Sequence, residues 1–213
     1  VFIFPDEQGV IAYNWITSER VTVFVKEGSR EESPERIAQR EAAMRQARLE
    51  QERRAQQAAR IALEILEAAS QASGHPYFDR KGLPMPGSVR LIEVETFARI
   101  AGYAPRAKGE PMSGMLAVAA VRDASGSLST LEIIDEHGNK AALAGGTRKG
   151  RFWSPDDRWR TAKTVILAEG IATAASISLA LYDRDTAVVA TLSACNIEPV
   201  VRAILEAHCD DAP

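Results

Sequence analysis

Thr164-Val165-Ile166-Leu167-Ala168-Glu169-Gly170-Ile171-Ala172-Thr173-Ala174 is the stretch that decides the fold. Thr164 to Ala168 is short and almost wholly apolar, the pattern of a strand buried on both faces. Glu169-Gly170 punctuates it, and small residues from Ile171 to Leu181 continue as a helix. The unit then recurs, with Thr186–Leu192 as a second buried strand and Ile197–Ala207 as a second helix. Strand–helix–strand–helix with short links implies parallel strands joined by right-handed crossovers. Residues 164–213 are therefore expected to open a Rossmann-like sheet that stops where a third strand would follow.

Working outward, the period upstream is different. Met115–Arg122 is an apolar strand, Asp123-Ala124-Ser125-Gly126 a turn, and Ser127–Ile134 an alternating second strand. Asp135–Asn139 is another turn before Lys140–Leu143, so three short strands form an antiparallel meander. It leads into Gly145-Gly146-Thr147-Arg148-Lys149-Gly150-Arg151, a glycine-flanked loop with three cations. Residues 75–113 are rich in Gly and Pro, with short apolar stretches and a small helix near Glu95–Ala101. The segment 73–163 reads as one subdomain.

Further upstream, residues 34–72 form a long charged helix. Ser33-Pro34-Glu35 supplies a cap, a proline at the first helical position and an acid in the first turn. Its first two-thirds are polar all round, with Glu41–Arg45 and Glu50–Arg54 as i,i+4 pairs. From Ala58 onward, Ala58, Ile61, Ala62, Ile65 and Ala69 form an apolar stripe that should dock on a core. The heptad seam is interrupted by Arg40, Gln51 and Arg54, which does not favour strong dimerisation. Residues 1–28 read as a small β meander of three strands. The fold class is mixed α/β (α+β) throughout.

The chain has 213 residues and a net charge of −3, so it lacks the strongly basic balance of many nucleic-acid binders. The charge is unevenly placed. Residues 139–163 carry seven Lys/Arg against two Asp, and residues 164–213 carry two Arg against seven Asp/Glu. Adjacent basic and acidic segments suit a polyanion beside a cation, or simply two solvated faces. Two cysteines, Cys195 and Cys209, rule out a disulfide framework and an all-cysteine zinc site within this chain. No apolar run approaches the roughly 18–20 residues that span a bilayer. Neither that nor a signal pattern appears, so a cytoplasmic location is expected, and Val1 in place of Met suggests an excised fragment.

Glu169 is the residue placed for chemistry. Sites in open parallel sheets form outside the carboxyl ends of the strands. A carboxylate there can hold Mg²⁺ with waters, or it can complement the positive end of the following helix. Arg148, Lys149 and Arg151 can bind phosphates or stand as solvated cations. The spacing is not that of a P-loop. Trp153 offers a ring for a base to stack on, or half-buried packing. His75, His137 and His208 have no ligand spacing.

The order of these features resembles a family. The strand ending in Arg122-Asp123, the second strand, Lys140-Ala-Ala-Leu143 and Thr147-Arg-Lys-Gly150 are similar to the front half of bacterial-type primase catalytic cores. Val165-Ile-Leu-Ala-Glu-Gly-Ile-Ala-Thr-Ala174 resembles the glutamate motif of the Toprim domain, shared by primases and topoisomerases. His75–Leu83, Val189–Asn196 and the early Asn14-Trp15 are closest to primases and primase-helicases of plasmids and phages. The resemblance covers roughly residues 75–207. It implies a DNA primase, a nucleotidyltransferase that joins ribonucleotides on a single-stranded DNA template with Mg²⁺ or Mn²⁺. A helicase domain or protein is an implied partner. Glu169 would be the catalytic, metal-linked carboxylate, and Lys149 a catalytic basic residue. Arg122, Lys140, Arg148, Lys149 and Arg151 would line the nucleotide and template groove.

Two departures accompany that resemblance. The second acidic motif, Asp-x-Asp after the next strand, is not matched by Asp210-Asp211, and no zinc module is present. The metal site is therefore expected to be incomplete and this chain nearly inactive alone. The rival readings are a non-catalytic module that binds single-stranded nucleic acid, and another Toprim enzyme such as a nuclease.

Overall fold

The computed structural model describes residues 2–3, 9–13, 20–24, 34–181 and 185–210. The Asn14-Trp15 pair, the Ser33 cap and Asp211 lie outside the described residues. The chain divides into two units, residues 1–47 and 48–213.

In the first unit, β1 (Phe2–Ile3), β2 (Gly9–Tyr13) and β3 (Arg20–Phe24) form an antiparallel sheet in the order β1-β2-β3. This is the meander expected from the sequence. Helix α1 (Pro34–Ala68) crosses the division between the units. It ends four residues earlier than the composition suggests. Ser70 has left the helix to exchange both backbone hydrogen bonds with Leu91, each 2.9 Å long.

The second unit contains α2 (Pro76–Arg80), β4 (Val89–Glu93), α3 (Val94–Ala101), β5 (Arg106–Ala107) and β6 (Glu110–Pro111). The meander follows as β7 (Met115–Arg122), β8 (Leu128–Ile134) and β9 (Lys140–Ala142). Last come β10 (Thr164–Ala168), α4 (Ile171–Ala180), β11 (Thr186–Ala190) and α5 (Ile197–Asp210). The antiparallel sheet has four strands in the order β4-β7-β8-β9. Strand β4, hidden in the Gly/Pro-rich stretch, pairs with the far edge of β7. Strands β10 and β11 pair in parallel with Ala168 opposite Ala190.

Both faces of the antiparallel sheet are covered, which explains why β7 is apolar without alternation. Leu116 and Val118 join Leu131 and Ile133 in a core with Ala58, Ala62 and Ile65 of α1. The apolar stripe of α1 thus docks as its sequence requires. On the other face, Ala117 and Ala119 share a core with Ile171, Ala174, Ala175 and Val188. Small residues on both sides of that contact let α4 come close to the sheet.

The segment after the basic loop joins the two sheets. Phe152 exchanges backbone hydrogen bonds of 2.9 Å with Arg122 at the end of β7. The next residue, Trp153, does the same with Ala190 at the end of β11, at 3.0 and 2.7 Å. Each dipeptide partner belongs to a different sheet, so residues 152–153 form the seam between them.

Candidate functional site

Glu169 leaves β10 at its carboxyl end, where its side chain is exposed. Its backbone carbonyl accepts a 2.8 Å hydrogen bond from the Leu192 N–H. Its carboxylate has no hydrogen bond or ion pair among the described residues. Gly170 is the N-cap of α4 and provides no side-chain cap, so the first N–H groups of that helix keep their donor capacity.

Lys140 is brought to the same place from β9. An added Cβ at Gly170 would lie 3.7 Å from Lys140 Nζ, and that ammonium also stands 5.4 Å from the centre of the Tyr77 ring. Tyr77, Lys81, Lys140, Gly170 and Thr173 line a groove of about 310 Å³ at the start of α4. The short helix that carries Tyr77 is capped by His75, whose Nδ1 accepts from Tyr77 N at 3.3 Å while Nε2 donates to Met115 O at 2.9 Å. His75 is therefore a buried helix cap with both nitrogens committed.

The basic loop is held far more firmly than a solvated glycine loop. Arg148 Nη2 lies 2.8 Å from Glu132 Oε2 and donates to Leu192 O at 3.2 Å. Glu132 sits among buried residues of β8, and burial pushes its carboxyl above the usual value; Arg148 and then Lys140 pull it back down. Asn196, also buried, accepts from Gly150 N at 2.8 Å and donates to Arg151 O at 2.9 Å and Thr191 O at 2.8 Å. Gly146 passes so close to β8 that an added Cβ would lie 2.3 Å from Thr130 Oγ1. Arg151 Nη1 folds back onto the Lys149 carbonyl at 2.7 Å. Lys149 is exposed, and its ammonium has no partner among the described residues.

The six candidate residues thus fall into two groups. Glu169, Lys140 and Arg148 gather around the carboxyl end of β10, with Lys149 and Arg151 on the loop tied down beside Leu192 and Asn196. Arg122 stands elsewhere. It pairs with Leu128 at one end of β8, whereas Lys140 pairs with Ile134 at the other. Six residues of strand place them roughly 20 Å apart. Arg122 Nη1 donates to Gly126 O at 3.0 Å across the turn. Trp153 is 1% exposed, packed with Val188 and Ala190, and presents no face for stacking.

Sequence reasoning gave no role to Glu132 and Asn196, the two buried polar residues that hold this site. The signal for Glu132 was present: a single charge inside the apolar run Leu131-Glu132-Ile133-Ile134 calls for a buried partner. Asn196 was signalled only as a polar residue between a buried strand and a helix.

The donor set for a cation is narrow. Among the described residues no three His, Cys, Asp or Glu side chains gather. Glu169 offers one carboxylate, which fits Mg²⁺ as one protein ligand among waters and phosphate oxygens and is not a full cage. No family model, no curated protein and no solved structure matches the chain.

Proposed function

We propose that this chain is part of the catalytic core of a DNA primase, acting in metal-dependent RNA primer synthesis on single-stranded DNA. The observation that carries the reading is the exposed, unpaired Glu169 carboxylate at the carboxyl end of β10, beside the uncapped start of α4 and the Lys140 ammonium. Nucleotidyl transfer needs a carboxylate-held divalent cation next to positive groups that take the phosphates. In this reading Glu169 is one ligand of Mg²⁺ or Mn²⁺. When bound, that ion supplies charge stabilisation at the attacking and leaving oxygens. Lys140 and the α4 N-terminus receive phosphate oxygens of the incoming ribonucleotide. Lys149, free of partners among the described residues, reaches template or nucleotide phosphate. Arg148 acts at one remove, by fixing the Leu192 carbonyl against Glu132.

Among the described residues no helix is long and apolar enough to cross a membrane. A cytoplasmic location, with a helicase domain or protein as partner and a plasmid or phage as source, belongs to the same proposal.

The test is template-dependent ribonucleotide incorporation on single-stranded DNA with Mg²⁺ or Mn²⁺, using the full natural product that carries these residues. Synthesis abolished by Glu169→Gln and strongly reduced by Lys149→Ala is the expected result. Salt-dependent single-strand binding without synthesis, indifferent to Glu169→Gln and to Mg²⁺, would replace it with a non-catalytic binding module. Strand cleavage in place of extension would make it a nuclease.

A further inference from the structure

Among the described residues, two that are not glycine have left-handed backbones, Lys108 at φ 53° and Leu192 at φ 67°. Lys108 lies with Gly109 in the two-residue turn that joins β5 to β6, where such angles are the rule. Leu192 has no hairpin to explain it. It follows the parallel strand β11, and its side chain packs on the core that contains Ala168, Ile171 and Ala190. A left-handed backbone disfavours a residue with a Cβ by roughly five- to thirtyfold, and a bulky side chain makes it rarer still. Such strain persists only where the surroundings over-determine it, and it gathers at functional sites.

Leu192 is held from three directions. Its N–H donates to the Glu169 carbonyl at 2.8 Å, its carbonyl accepts from Arg148 Nη2 at 3.2 Å, and its side chain is seated in the core. Arg148 is itself bound to the buried Glu132. One residue earlier, Thr191 N donates to the Ala168 carbonyl at 2.8 Å, and the Thr191 carbonyl accepts from Asn196 Nδ2 at 2.8 Å. Consecutive N–H groups of an extended strand point to opposite edges, yet Thr191 and Leu192 both reach the end of β10. The chain has thus left strand geometry where Leu192 takes its left-handed angle. What Leu192 grips is the Glu169–Gly170 peptide. One end of that peptide carries the Glu169 side chain, and the other is the N-cap of α4. The unit is planar, so fixing its carbonyl fixes both ends.

We infer that Leu192 is a positioning residue for Glu169: its left-handed backbone clamps the Glu169–Gly170 peptide and so fixes the direction in which the carboxylate leaves the strand. The inference rests on the reading of Glu169 as a metal ligand. Leu192 acts only through that peptide.

The test compares Leu192→Val, Leu192→Ala and Leu192→Gly in the full natural product. Packing alone makes Leu192→Val the mildest change and Leu192→Gly the most damaging, because each step removes apolar volume. The backbone ranks them the other way, since glycine takes φ 67° freely and a β-branched residue resists it most. Mn²⁺ alone is titrated, with the free ion followed by electron paramagnetic resonance, and the binding that Glu169→Gln removes is the quantity compared. Leu192→Gly should hold Mn²⁺ within about threefold of the unsubstituted protein, whereas Leu192→Ala and Leu192→Val should weaken it about five- to thirtyfold. In ¹⁵N-glycine-labelled protein the Gly170 amide signal should move less in Leu192→Gly than in the other two. If the valine variant does not fold, the alanine and glycine variants carry the same contrast. Mn²⁺ affinity that follows the packing order, or is equal in all three variants, overturns the inference while Glu169 remains a ligand; so does a Gly170 signal that moves most in Leu192→Gly. Mn²⁺ binding indifferent to Glu169→Gln removes the metal reading itself, and the inference falls with it.

Discussion

Arg148→Ala removes the partner of a carboxylate that is nearly out of water. The Glu132 side chain is 7% exposed and its Oε2 lies 2.8 Å from Arg148 Nη2. Removing one member of a buried ion pair costs about 3–5 kcal/mol, because the other charge is left unpaired. Arg148 is itself 33% exposed and Lys140 still acts on Glu132, so about 2–3 kcal/mol at neutral pH is the expected loss. The pH dependence has a definite sign. Burial already holds the folded-state value of Glu132 above 4.5, so the folded chain takes up that proton more readily than the unfolded chain. Ionising such a group as pH rises weakens the fold. Without Arg148 the folded-state value climbs further, so the variant's deficit is largest near neutrality. It shrinks as pH falls through that raised value and is lost below 4.5, where both states are protonated. Urea unfolding followed by circular dichroism reads this directly. With a slope of about 2 kcal/mol per molar, the midpoint should fall by about 1–1.5 M near neutral pH and by clearly less at about pH 5. Glu132→Gln in the same background should restore most of the loss, since it removes the stranded charge. A deficit equal at both pH values, or one that persists in the double variant, would refute the account of Glu132 as a buried charge held by Arg148.

Three further outcomes are expected. Asn196→Ala leaves the Gly150 N–H and the Arg151 and Thr191 carbonyls without their partner and should cost about 1–3 kcal/mol; hydrogen exchange at Gly150 should quicken before that at β10 does. Gly146→Ala puts a methyl group 2.3 Å from Thr130 Oγ1, and about 1–3 kcal/mol of overpacking should appear as a lowered melting temperature. Glu169→Gln removes a carboxylate with no partner among the described residues and should leave thermal stability unchanged while it abolishes primer synthesis; a drop in melting temperature would show that the carboxylate supports the fold.

One strand of the parallel pair and one of the four-stranded sheet were legible because their signals are local. Thr164–Ala168 and Met115–Arg122 are read with the bounds that the structure gives β10 and β7, since each is an uninterrupted apolar run closed by turn residues. The α1 stripe from Ala58 to Ile65, with Ala69 just past the helix end, was legible for the same reason, as one face of a regular helix. Strand β4 was not. Val89-Arg90-Leu91-Ile92-Glu93 is five residues long, carries two charges and runs straight into α3, so it is defined only by its pairing with β7. The candidate site divides in the same way. Glu169 could be placed from its position after a strand. That Arg148 is taken by Glu132, and that Arg122 lies at the far end of β8 from Lys140, depends on register across strands that no single window contains.

That division of the cations bears on how the chain would hold a polyanion. Residues 148–153 read in sequence as a loop offering positive charge, yet almost every residue in it is bonded to a neighbouring element. Arg148 is bound to Glu132 and Leu192, Gly150 and Arg151 to Asn196, Phe152 to Arg122, and Trp153 to Ala190. The segment joins the antiparallel sheet to the parallel pair, and its backbone is fixed by partners from both. Lys149 is the exception, an exposed ammonium on an otherwise bonded segment. A cation on a fixed backbone loses less freedom on binding phosphate than one on a loose loop. Lys149→Ala should therefore weaken single-strand binding and reduce its salt slope by about one, whereas Arg148→Ala should act chiefly through stability. If Arg148→Ala lowers the salt slope as much as Lys149→Ala while leaving the urea midpoint unchanged, Arg148 contacts nucleic acid directly and its bond to Glu132 is incidental.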